Sequence, residues 1–108
     1  MHPAIIGAME ERWTELVSAM AGGPVTVGSM FGSTGLRTGR RFFAIWWHGR
    51  LVLKLPPDRR AELVREGAAE PFEPMPGRPM NGWVVLDPAA DWAEPAREAR
   101  AFVESSSG

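Results

Sequence analysis

One run in the middle of the chain, Arg41 to Leu55, narrows the possible folds more than any other. It reads as two strands joined by a tight turn at His48-Gly49, where Gly49 supplies the positive φ that short hairpin loops require. With those two residues as the loop, Phe42 faces Leu55, Ala44 faces Leu53 and Trp46 faces Leu51, an unbroken apolar side. The opposite side pairs Phe43 with Lys54, Ile45 with Val52 and Trp47 with Arg50, mixing large apolar groups with two cations. A slip of one residue would scramble both sides, so the pattern specifies its own register.

A chain of 108 residues is expected to form one domain, with room for one sizeable core and not two. The core is expected over about residues 4–104, with a loose tail at 105–108. There is no cysteine, which removes disulfides, thiolate metal sites and cysteine nucleophiles. Met1 to Ile6 lack the basic segment and apolar core of a signal peptide. No apolar run approaches the roughly 20 residues of a membrane span, so a cytoplasmic protein without membrane contact is expected. Net charge is −1, but residues 37–65 carry eight cations against Asp58 and Glu62. From Glu66 onward eight acids face Arg78, Arg97 and Arg100. Such segregation serves either as a basic face for an anion or as two surfaces that complement each other within the fold.

Ahead of the hairpin, Ile6, Met9, Trp13, Leu16, Val17 and Met20 recur at three- and four-residue steps, which predicts an amphipathic helix over about Ala4–Met20. Gly22-Gly23-Pro24 ends it. An extended segment from Val25 runs through Met30-Phe31, and Gly32, Gly35 and Gly39 then mark a bulge or kink followed by a turn. With the central hairpin this makes a four-strand antiparallel meander. Pro57 suits the first position of a short helix to about Glu66, with Ala61, Leu63 and Val64 inward and Gly67 closing it. Residues 70–79 hold four prolines and read as an extended loop anchored by Phe72 and Met75. Trp83 to Leu86 is a last strand, and a helix from near Glu94 buries Ala96, Ala99, Phe102 and Val103, with Trp92 packed ahead of it. The expected class is α+β, a two-layer domain with N-terminal, middle and C-terminal helices against an antiparallel sheet.

Four signatures resemble the N-terminal domain of the TfoX/Sxy proteins, a family named for a regulator of bacterial competence. They are Met30-Phe31-Gly32 with a following glycine and Leu36, then Phe42-Phe43-Ala44 leading to Gly49-Arg50-Leu51 and Leu53-Lys54-Leu55. Glu70-Pro71-Phe72 with Gly77-Arg78 is the third, and Trp83 ahead of an apolar strand is the fourth. The match runs from about Trp13 to Val103, and the MmcQ/YjbR-like proteins share the hairpin and lysine signature. The resemblance implies a regulatory α+β domain rather than an enzyme. Larger members resemble this domain joined to a C-terminal helical domain credited with nucleic-acid contact, and this chain is expected to carry the first domain alone.

The residues themselves offer little for catalysis. His2 lies at the terminus and His48 in a turn, and no His/Asp/Glu set has metal-ligand spacing, so no metal and no cofactor is expected. Ser29 and Ser33 lack a base at a predictable distance. Gly28, Gly32, Gly35 and Gly39 fit neither phosphate-loop pattern and read as turn residues. Lys54, the only lysine, forms with Arg50 and Arg78 a candidate anion site, or else these cations make a pair of structural ion contacts to Glu70 or Glu73. The oddity is the hairpin's second side, where Phe43, Ile45, Trp47 and Val52 face away from the helices. Left bare, they would form an unusually large apolar patch. Either the 72–80 loop or one of the helices covers it, or a protein partner, a second copy or a small apolar ligand does. The expected function is therefore a non-enzymatic binding or regulatory module with a surface drawn from Phe43, Ile45, Trp47, Arg50, Val52, Lys54 and Arg78. The rival is a nucleic-acid-associated regulator that uses the basic segment.

Overall fold

A computed structural model describes residues 3–106, with side chains described from Gly7 onward. His2, the Ile6 side chain and the tail residues Ser107 and Gly108 lie outside the described residues. The helices are α1 (Pro3–Met20), α2 (Pro57–Arg65) and α3 (Ala93–Ser105). The strands are β1 (Val25–Met30), β2 (Ser33–Thr38), β3 (Arg41–Trp47), β4 (Arg50–Lys54), β5 (Ala69–Pro71) and β6 (Trp83–Leu86). All pairings are antiparallel, in the order β1-β2-β3-β4-β6-β5. The class is α+β, as the sequence predicts.

One face of the sheet carries the main core. Trp13, Leu16 and Met20 of α1, Leu63 of α2, and Ala96, Ala99 and Val103 of α3 meet Leu36, Ala44, Leu51, Leu53, Val84 and Leu86. Three tryptophans lock the layers: Trp46 stacks on Trp13 at 5.5 Å and tilts against Trp92 at 5.9 Å. The Arg12 guanidinium lies 3.7 Å from the Trp92 ring centre and donates to the carbonyls of Pro88 and Ala90. This cation–aromatic stack ties α1 to the segment before α3.

The hairpin register holds where it is paired: Ala44 faces Leu53, Ile45 faces Val52, Trp46 faces Leu51 and Trp47 faces Arg50. Below Ala44 the expectation fails. Between β2 and β3 the register shifts, with Leu36 opposite Ala44 but Arg37 opposite Phe42, which leaves Phe43 as an extra residue. Such a bulge breaks the period-two alternation. Phe43 therefore joins Ala44 in the helix-side core, fully buried, and Phe42 swings to the other face. The predicted sides of these two phenylalanines are exchanged.

Phe42 lands on glycine. Gly28 and Gly35 face each other in mid-strand, and a Cβ at either would meet the Phe42 ring at 2.9 Å. These two are packing residues and not turn residues, whereas Gly32 and Gly39 have the positive φ of turns. A Cβ at Gly35 would also stand 2.7 Å from the Ala44 carbonyl oxygen, an atom that no rotamer change can move. Gly35→Ala is expected to cost about 1–3 kcal/mol as an overpacking change, read from the urea midpoint.

The second face is covered from within the chain. Phe72, 2% exposed, lies with Trp83 and Val85 against Ile45 and Val52, flanked by Phe42, Trp47, Met30 and Met80. The covering segment folds back on itself: the Phe72 amide donates to the Trp83 carbonyl, and the Met80 amide to the Phe72 carbonyl. Residues expected to be plain loop include β5, which pairs along β6. Met75 is no anchor, being 61% exposed at the Met75–Arg78 turn. Ala61 and Val64 are exposed rather than inward, since only Leu63 of α2 reaches the core, and Phe102 is half-buried.

Thr38, a buried polar residue, donates to Glu104 Oε2 at 2.7 Å and ties the end of β2 to α3. This hydrogen bond, and then Arg100, hold the Glu104 carboxyl below its ordinary range. A depressed carboxyl stabilises the fold above its unfolded value, near 4.5 for Glu, and that contribution is lost as pH falls through the folded value. Thr38→Val is expected to flatten the fall in stability on acidification. Urea midpoints at about pH 3 and about pH 6 measure this.

Candidate functional site

The predicted surface separates into buried and accessible parts. Phe43, Ile45 and Val52 show no exposure. Phe43 is lost to the bulge, and Ile45 and Val52 lie beneath Phe72, so none of the three touches solvent. The turn end of the same face stays accessible.

Two hairpin loops lie side by side there. Met30 pairs with Ser33 around Phe31-Gly32, and Trp47 pairs with Arg50 around His48-Gly49. In both loops the two central residues have positive φ: 57° and 75° in the first, 49° and 77° in the second. Such loops favour Asn, Asp or Gly, because a side chain with Cβ is strained in this region. Phe31 and His48 occupy it nonetheless, and both lean on Trp47. The Phe31 ring meets Trp47 edge-on at 6.1 Å, and His48 stacks on it at 4.4 Å. Phe72 closes the far side of Trp47 at 5.6 Å. Trp47 is half-buried and Phe31 is 58% exposed, so the group forms an aromatic knuckle with an accessible top.

A cleft of about 350 Å³ opens beside the knuckle between Trp47, Phe72 and Val85, edged by Arg50, Glu70 and Glu73. Arg50 Nη2 bonds Glu70 Oε1 at 3.2 Å, the ion contact that the sequence allowed for. Both partners are largely exposed, so the pair contributes only about 0.2–1 kcal/mol. An apolar centre with a charged rim is a composition that binding surfaces share.

The candidate anion site draws on both ends of β4 and on the Met75–Arg78 turn. Lys54 lies at the far end of β4 from Arg50, about 13 Å along the strand, with its stem near Gly82. Arg78 stands exposed in the Met75–Arg78 turn. Within the basic segment, Arg60 comes beside Lys54 at Gly82, and Arg50 stands apart at the turn end. Arg40 and Arg41 sit at the opposite end of the sheet from Arg50, and Arg41 bonds the Ser106 carbonyl. Arg59 is held between Glu62 and Glu98; chiefly Glu98 raises its affinity for the proton. A second groove, about 510 Å³, runs between α2 and the 79–84 segment, with Val64 and Met80 in its walls and Arg60 and Arg65 as its cations.

Of the family-motif residues, Met30, Phe31 and Gly32 form the first loop, Gly49 completes the second, and Trp83 is buried under the second face. Sequence reasoning ran β1 through Phe31 and so missed its part in the knuckle. The signal was present in Gly32, which repeats the place of Gly49 as second residue of a two-residue loop.

The family model of the TfoX N-terminal domain matches residues 15–106. No curated protein and no solved structure gives a significant match.

Proposed function

The chain belongs to the TfoX N-terminal domain family, and from that premise we propose that it is a non-enzymatic regulatory module whose protein partner docks on Phe31, Trp47 and His48. Arg50 and Glu70 form the polar rim of that contact. The observation carrying this reading is Phe31 itself. A large aromatic held at φ 57° and 58% exposed sustains strain of about 1–3 kcal/mol at a position where Asn would sit easily. Strain of this kind collects at binding sites, and exposed aromatics beside an arginine are the residues that dominate interface energies. Arg50 and Arg59 are paired with Glu70, Glu62 and Glu98, which weighs against nucleic acid, whose backbone asks for unpaired cations.

Phe31→Asn separates fold from function. It is expected to leave the domain as stable or up to about 1 kcal/mol more stable, since loop strain is relieved while one ring contact is lost. A photo-crosslinking side chain placed at His48 is expected to form a discrete protein adduct in cells that vanishes with Phe31→Asn or Trp47→Ala. The same group at Glu11, on the exposed side of α1, is expected to form none. An adduct that survives both substitutions, or that forms equally from Glu11, would overturn the assignment.

A further inference from the structure

The two edges of the sheet differ in kind. β5 is three residues long and carries Glu70 and Pro71, features that discourage pairing. β1, at the other edge, is six residues long, Val-Thr-Val-Gly-Ser-Met, with no charge and no proline. Its outward hydrogen-bonding groups can be identified. Val25 exchanges both of its backbone bonds with Gly22 at 2.9 Å, on the side away from β2. Antiparallel strands alternate inward and outward residues, so Val27 and Ser29 also point outward. Among the described residues, no backbone group beyond the strand bonds either of them. Val27 is 48% exposed and Ser29 is exposed.

We propose that β1 pairs antiparallel with β1 of a second copy of this chain, across a two-fold axis at Gly28, to make one continuous sheet. Four free groups fix the register. With Val25 already occupied by Gly22, only Val27 opposite Ser29 of the other copy, and its symmetric twin, uses all of them. Gly28 then faces its own counterpart at the close, non-hydrogen-bonded spacing, which the missing side chain permits. A two-fold axis requires a self-complementary strand. An uncharged β1 buries no like charges against itself, and its exposed Val27 gains cover. This contact is separate from the aromatic knuckle.

Sedimentation equilibrium from about 1 μM to about 1 mM chain, with amide exchange on the same samples, tests the proposal. The expected result is a reversible dimer in which the Val27 and Ser29 amides gain protection as concentration rises. Val27→Lys is expected to weaken it at least about tenfold. Ser29→Pro, which removes an outward N–H that the fold does not use, is expected to give a folded monomer with an unchanged circular dichroism spectrum. Trp47→Ala is expected to leave the dimer intact. A wild type that stays monomeric throughout, or a dimer that persists in Val27→Lys and Ser29→Pro, would overturn the proposal.

Discussion

Phe72→Ala is expected to destabilise the domain by about 3–5 kcal/mol, the range for truncating a buried phenylalanine. Phe72 is 2% exposed and is the large apolar side chain that the segment after β5 sets into the second face. Its ring supports Trp47, and its amide and carbonyl hold Trp83 and Met80 in place. Without the ring, Ile45 and Val52 lose their cover, so binding of an apolar dye should rise before global unfolding. Met75→Ala, in the same segment but 61% exposed, is expected to change stability by no more than about 0.5 kcal/mol. Urea denaturation of both variants measures the contrast. Equal effects would mean that the segment does not cover the face as described.

Phe43→Ala is the second large effect, again about 3–5 kcal/mol, because the bulge drives this side chain into the fully buried helix-side core. Phe42→Ala should cost less, since Phe42 is half-buried at the margin of the second-face cluster, with its ring over Gly28 and Gly35. Without the bulge the order would be reversed, as regular alternation puts Phe42 in the core and Phe43 outside. Ranking the two urea midpoints therefore reads the bulge directly. Val52→Ser belongs with these core changes, since Val52 is fully buried and its loss would harm the fold before any surface.

Why some features were legible in the sequence and others were not has a physical answer. The four pairs from Ala44 to Trp47 were readable because each side there has a distinct composition, so only one register keeps the sides apart. The bulge was not readable, because Phe42 and Phe43 are the same residue and exchanging their sides leaves the pattern unchanged. β5 was hidden by its length and by Pro71, which suits an edge strand but reads as a loop. The cover over Ile45 and Val52 depends on where a proline-rich loop travels in space, and local periodicity carries no record of that. Trp47 and Arg50 were named from the sequence, while Phe31 and His48 entered the site only when two distant loops came together at one end of the sheet. Helix burial was read well for Trp13, Leu16, Ala96, Ala99 and Val103 and less well for α2. There Val64 has the right spacing but faces the groove beside Met80.

The second face is sealed by its own chain at Ile45 and Val52 and open at the loop end. The chain has no cysteine, so single-cysteine variants report accessibility without background. Thiol labelling of Phe31→Cys and Val52→Cys under native conditions compares the two regions in one experiment. The expected result is labelling of Cys at position 31 near the free-peptide rate. At position 52, labelling should be slower by a factor on the order of 1,000 or more, limited by unfolding. Comparable rates at the two positions, in proteins that circular dichroism shows to be folded, would contradict it.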